Sequence, residues 1–408
     1  MDTLLRKDAE YIVNKAIAAV MPDEAVRKAL EDKTFPGRVI LVAAGKAAWQ
    51  MANAAYGCVN VDSGIVITKY DHAKGPIGNL LIREAGHPTP DENSFSATKE
   101  ALEMVSGLNE TDTVLFLLSG GGSALFELPL ISGEELQDIT KQLLASGADI
   151  TQINTIRKRL SAVKGGKFAL ACMPAQVYSI VLSDVLGDKL DVIASGPAYP
   201  DSSTAEETIA VAEKYELRLF ERAWGLLQQE TPKRLTNVTT TVNGSVRQLC
   251  AAAADACRER GYEPVILTDQ LCCEARDAGR MLAEKLRTAG ENVALIAGGE
   301  TVVKLTGSGL GGRNQELALS AAQLIRGIPG TAVFSVGSDG TDGPTDAAGG
   351  YVDYTTAEAL EQAGISLEAV LADNDSYHAL QAVNGLIITG PTGTNVNDVA
   401  VALKKSWV

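Results

Sequence analysis

The feature that most constrains this chain is an alternation, sustained over almost its whole length, of short β-rich apolar runs with helical patterns. The runs at 38–44 (RVILVAA), 64–68 (GIVIT), 113–119 (TVLFLLS) and 177–183 (VYSIVLS) include several that are apolar at odd and even positions alike. A strand of that kind must be covered on both faces, as parallel strands are when helices connect them. Further runs at 263–267, 292–297, 301–305, 331–336 and 385–389 continue the pattern. Gly298 and Gly299 lie between two of these, which suggests an antiparallel hairpin there. The expected fold class is α/β, in three layers around a mostly parallel sheet.

At about 150 residues per domain, a chain of 408 residues suggests two or three domains. The polar stretch QQETPKRLTN separates a helical segment from what reads as a new strand–helix–strand unit beginning at TTTVNG. The expected domains are therefore 1–235 and a smaller 236–408. No short fixed repeat argues for a solenoid or a propeller.

Composition excludes several classes. Hydrophobic residues make up 46% of the chain, too many for a disordered one. The net charge of −15 argues against nucleic acid and anionic membrane as partners. No charge-free run is long enough to span a bilayer, and the charged N-terminal pattern reads as an amphipathic helix rather than a leader. The six cysteines include no C-x-x-C, so free thiols in a reducing cytoplasm are expected. The 39 glycines are somewhat above average, and their positions carry the functional argument.

In an open α/β sheet, ligands meet loops at the carboxyl ends of strands, where helix N-termini favour anions. Six regions have that placement. Gly45 and Lys46 follow the run at 38–44, putting an ammonium at the sheet edge. Ser119, Gly120, Gly121, Gly122 and Ser123 follow TVLFLLS and read as an anion-binding nest, although no P-loop sequence is present. The stretch 154–167 carries Asn154 and five cations, Arg157, Lys158, Arg159, Lys164 and Lys167. Arg157 and Ser161 would share a face if that stretch were helical. Asp184 follows VYSIVLS, where a carboxylate can hold Mg²⁺ or accept a proton. Gly307 to Gly312 forms a formal G-x-G-x-x-G, but the acid expected about 20 residues later is missing. Arg313 follows as a bidentate anion donor. The last region joins Asp339, Asp342 and Asp346 with the run at 389–398, read either as metal ligands or as Asx-turn loops.

Together these motifs resemble the glycerate 2-kinases, the class II glycerate kinases whose C-terminal part is called the MOFRL domain. The resemblance rests on AAGKAA, EAGHPTPDE, LLSGGGSALFELP, INTIRKRLSAVKGGK, LSDVLGDKLDVIASGPAYPD, GGETVVKLTGSGLGGRNQELAL, GSDGTDGPTDAAG and TGPTGTNVNDV, in order from near residue 40 to near 400. It implies a Rossmann-like N-terminal domain, a MOFRL-type mixed α/β domain and an active site in the cleft between them. The implied reaction is ATP- and Mg²⁺-dependent phosphorylation of the 2-hydroxyl of D-glycerate. Lys46 and Arg313 then match the main active-site cations, expected from opposite domains, and Asp184 matches the acid and metal ligand. Ser119 to Ser123, with Asn154, Arg157 and Lys164, are assigned to substrate or phosphate. Glu300, Gly311, Gly312, Asn314, Asp339, Asp342, Thr394 and Asn395 are assigned to nucleotide. Val302 and Arg159 depart from the family pattern, where Thr and His are usual. A small-molecule substrate, a cytoplasmic location and a homodimer complete the expectation. The alternative is an NAD(P)H-dependent hydroxypyruvate reductase, resting mainly on Gly307–Gly312.

Overall fold

In the computed structural model, residues 1–183, 185, 187 and 190–406 are described. The chain divides into two units, Pro22–Asn243 and a second made of Met1–Met21 with Gly244–Val408.

The first unit is built on β1 (Val39–Ala44), β2 (Ser63–Lys69), β3 (Leu81–Ala85), β4 (Thr113–Leu118), β5 (Gln176–Leu182) and β6 (Val238–Gly244). The sheet order is β3-β2-β1-β4-β5-β6, with β1 to β5 paired in parallel. Every residue of β1 and β4 is buried. The pleat explains why: Ile40, Val42 and Ala44 join one core with Ala97, Ala101 and Phe168, while Val39, Leu41 and Ala43 join another with Ala48, Met51 and Ala55. The helices Ala48–Cys58 and Glu92–Val105 thus cover opposite faces, giving three layers. Asp91 fixes the start of the second helix by a reciprocal cap with Ser94. A third core, around Leu136, Ile139, Ile156, Leu160 and Leu227, packs helices on one another.

The second unit is a mixed sheet. Its strands are β7 (Glu263–Leu271), β8 (Val293–Gly299), β9 (Thr331–Gly337), β10 (Gly349–Asp353), β11 (Leu386–Ile387) and β12 (Asp398–Lys404). The order is β11-β10-β9-β12-β8-β7, and only β7 and β8 pair in parallel among the registers described.

Three expectations change here. TTTVNG does not open the second unit; it is β6, the edge of the first sheet, so the units part at 243/244 rather than 235/236. Residues 1–21 join the second unit, where Asp8, wholly buried on the helix Thr3–Ala19, is held by Arg260, Tyr262 and Lys405. Residues 301–305 make no hairpin with β8, whose two neighbours are β12 and β7; Val302 makes only an isolated bridge to Glu274.

Candidate active site

In a doubly wound sheet of order 3-2-1-4-5-6, the crevice lies where the winding reverses, at the carboxyl ends of β1 and β4. Two of the loops singled out in the sequence meet there. The Lys46 N–H donates to Gly120 O at 2.9 Å, and the Ala47 N–H donates to Ser119 Oγ at 3.1 Å. Gly45 is required: its φ is +128°, and a Cβ would collide with Ser119. Lys46 lies in the turn before the helix Ala48–Cys58 rather than within it. It is exposed, and its ammonium has no partner among the described residues.

The glycine loop bends at Gly121, whose φ of +86° suits a residue without Cβ, and runs into the short helix Gly122–Leu125. Gly122, Ala124 and Leu125 N–H groups bond back to Ser119 and Gly121 carbonyls. Those of Gly120, Gly121 and Ser123 find no acceptor among the described residues. His87, two residues beyond β3 and assigned no role by its sequence motif, closes over the loop. A Cβ on Gly121 would lie 3.0 Å from His87 Cδ2, 3.2 Å from His87 Nε2 and 3.2 Å from Lys46 Cγ. Burial and the charges of Lys46, Lys69 and His72 push the His87 imidazole below the usual histidine range.

The cation run supports this loop from within the protein. Its first part lies on the helix Ile150–Leu160, capped reciprocally by Asp149 and Gln152, and Ser161 lies past the end of that helix rather than on a shared face with Arg157. Arg157 donates to Ser123 O at 2.9 Å and lies 3.7 Å from Glu127. Lys164, assigned to substrate, is wholly buried: its Nζ reaches Glu127 at 2.9 Å and Phe126 O at 3.0 Å. Burial, eased by Glu127, pulls its pKa down to about 8. Lys158 and Arg159 share the buried Asp201, at 3.0 and 2.7 Å. Lys167 donates to the carbonyls of Lys158, Arg159 and Ser161, closing the helix C-terminus. The cation run is thus a set of internal counter-charges, because the buried Glu127 and Asp201 take up Arg157, Lys158, Arg159 and Lys164, and backbone carbonyls take up Lys167. Asn154 is buried too, accepting from Ser195 Oγ at 3.0 Å, and Ser195 Oγ lies 3.4 Å from Ser123 Oγ. Asp184 lies outside the described residues.

In the second unit, Arg313 opens the helix Arg313–Ile325. Its guanidinium grips Asp398 with Nε at 2.6 Å and Nη2 at 3.1 Å, and Glu300 through Nη1 at 2.7 Å. Burial pushes the Asp398 carboxyl up to about 6, against the opposing pull of Arg313. Arg313, Gly311, Gly312, Asp339 and Thr341 line an open groove of about 730 Å³, with Val302 and Leu305 exposed beside it. Asp342 lies at its inner wall and behaves as a cap. It accepts from the N–H groups of Asn314 and Gln315 at 3.0 and 2.8 Å, so the helix N-terminus already holds a carboxylate. Asn314 is buried against Ser335 and Asp342, and Thr394 donates to Val20 O; both serve the fold rather than the groove. Asn395 is exposed, and Asp339 uses one oxygen to accept from Thr341 N–H at 2.9 Å.

The formal G-x-G-x-x-G is also occupied. Gly307 N–H donates to Asn374 Oδ1, Ser308 N–H to Asp373 Oδ1, Gly309 N–H to Asp373 O and Leu310 N–H to Asp375 Oδ1, all at 2.8–3.0 Å. The glycines admit the segment 373–376, which takes up the amides from Gly307 to Leu310.

Residues 8–228 match a domain of unknown function (DUF4147), and residues 293–398 match the MOFRL family. The chain is 54% identical to the D-glycerate 2-kinase of Thermotoga maritima, over 98% of each chain. It is 42% identical to the glycerate 2-kinase of Pyrococcus horikoshii, again over 98% of each. A putative hydroxypyruvate reductase of Agrobacterium vitis is 40% identical, over 98% of this chain and 95% of that one. The crystal structure of glycerate kinase from Thermotoga maritima superposes with a TM-score of 0.94 at 53% identity, covering 98% of this chain and 99% of that one.

Proposed function

We infer that this chain, which belongs to the glycerate 2-kinase family, phosphorylates the 2-hydroxyl of D-glycerate with ATP, giving 2-phosphoglycerate and ADP. The observation that carries the reading is full-length similarity to glycerate kinases together with an open anion loop at the sheet's switch point. The reductase reading loses support, since the amides from Gly307 to Leu310 are bound to Asp373, Asn374 and Asp375.

Phosphoryl transfer asks a protein mainly to align donor and acceptor and to neutralise charge on the equatorial oxygens. The open N–H groups of Gly120, Gly121 and Ser123 suit an anionic group, either the glycerate carboxylate or a phosphate. Lys46, beside them and without a partner among the described residues, suits the charge that develops on the transferred group. Arg157 keeps the loop in shape through Ser123 O rather than touching substrate. In the second unit, Arg313 and Asp339 suit the nucleotide phosphates, with Arg313 oriented by Asp398 and Glu300. Mg²⁺ generally keeps several waters and binds through one or two carboxylates plus phosphate oxygens. Asp339, with one oxygen unengaged by Thr341, fits that role, and Asp184 is the other candidate. The ion would supply neutralisation of phosphate charge.

The test is ADP release measured with glycerate, ATP and Mg²⁺, beside an NADH and hydroxypyruvate control. ADP formation that requires glycerate supports the kinase. NADH oxidation without ADP formation overturns it.

A further inference from the structure

The geometry assigns a further role at the anion loop: we propose that His87 faces the substrate and takes the proton of the acceptor hydroxyl through Nε2. This rests on the glycerate kinase reading. Three observations lead to it. His87 follows β3, so it stands at the carboxyl edge of the same parallel sheet that presents Lys46 and the glycine loop. Its Nε2 and the Lys46 side chain both lie 3.2 Å from the point where a Gly121 Cβ would sit, so they cover one patch of that loop. Neither ring nitrogen has a hydrogen-bond partner among the described residues, although the ring is half-buried. A packed imidazole with both nitrogens unengaged, beside an ammonium that no described residue engages, has the form of a site for a substrate rather than a structural clasp.

The charged and titratable groups acting on the ring are Lys46 after β1, Lys69 at the end of β2 and His72 on the turn beyond it. All three, with burial, favour the neutral imidazole, which is the form that accepts a proton near pH 7. In the step itself, the substrate oxygen bonds to the γ-phosphorus as its proton passes to Nε2. The bond from the γ-phosphorus to the bridging oxygen breaks, and its electron pair leaves on ADP. The imidazolium then returns the proton to solvent. A weak base suffices, because carboxylates fill this position in protein kinases.

The experiment is steady-state kinetics of the full chain and of His87→Ala and His87→Gln across pH 5–9, with thermal melts as a folding control. We expect kcat to fall about 10²- to 10⁴-fold in both variants, with KM for glycerate and ATP within about threefold. The acid limb of wild-type kcat should be absent from His87→Ala, and added imidazole should restore part of its rate. A purely structural role would move the melt and leave the limb in place. Wild-type ADP release with a kcat in His87→Ala within threefold of it, an unchanged acid limb, or a loss confined to KM overturns the proposal while leaving the kinase reading intact. Absence of glycerate-dependent ADP from the wild type overturns the kinase reading.

Discussion

The chain contains two glycine-rich loops, each between a strand and a helix, and they have opposite fates. At Ser119–Ser123 the backbone turns so that the N–H groups of Gly120, Gly121 and Ser123 stay open among the described residues, beside the unpaired Lys46. At Gly307–Gly312, which matches the better-known fingerprint, Asp373, Asn374 and Asp375 fill the first four amides, from Gly307 to Leu310. Glycine in the first loop leaves room for a ligand, while in the second it lets another stretch of the same chain approach. Spacing alone does not separate these uses. The fate of the N–H groups does, because each N–H is one donor, and one already bonded within the chain is not free for a ligand.

The largest effect that tests this contrast is on the open loop. Lys46→Ala should lower kcat by about 10³-fold or more, the scale of removing a phosphoryl-stabilising charge. Its melting temperature should stay within a degree or so, since the ammonium holds no described group and exposed substitutions cost little. Near-full activity would remove Lys46 from the proposed machinery.

The cations repeat the contrast between engaged and open groups. Lys158 and Arg159 are bound to Asp201, so Asp201→Asn should destabilise the protein by about 3–5 kcal/mol, the cost of breaking a buried pair, read by denaturant unfolding. Burial works to raise the Asp201 pKa, but hydrogen bonds from Thr231 and Lys158 and the Lys158 charge hold it down to about 2. A depressed carboxylate contributes stability above its unfolded value, near 4, and loses it as pH falls toward 2. That part of the acid limb of stability should flatten in Asp201→Asn. A limb identical to wild type would mean that Asp201 is not the group responsible.

Much of this was legible from residue order. β1 and β4 announced themselves by being apolar on both parities, which only a covered central strand requires, and the switch-point loops followed directly. The errors came where the partner is distant in sequence. Nothing in residues 301–305 reveals that β12, about a hundred residues later, takes the place beside β8 that the hairpin would need. The cation run looked like a site because Glu127 and Asp201, which engage it, lie outside the run. His87 carried a faint signal, a histidine after a strand in EAGHPTPDE, and its meaning depends on a glycine loop more than 30 residues away.

The sharpest test compares one methyl group in each loop. Gly121→Ala would face a φ of +86° and put Cβ 3.0 Å from the His87 ring and 3.2 Å from Lys46, so both side chains must give way. The backbone strain is about 1–2 kcal/mol. The displacement of aligned groups should cost up to about 10²-fold in kcat. Gly309→Ala would put Cβ 2.5 Å from Asp375 Cβ and 2.6 Å from Asp373 O, inside a packed segment that cannot yield easily. Its expected cost is about 1–3 kcal/mol of stability, as for overpacking elsewhere, with kcat per folded molecule nearly unchanged. Unfolding midpoints and kcat measured on the two variants together decide the matter. Should Gly309→Ala instead abolish turnover at full stability, the second loop would have to be read as ligand-binding after all. If Gly121→Ala lost stability alone, the first loop would be structural.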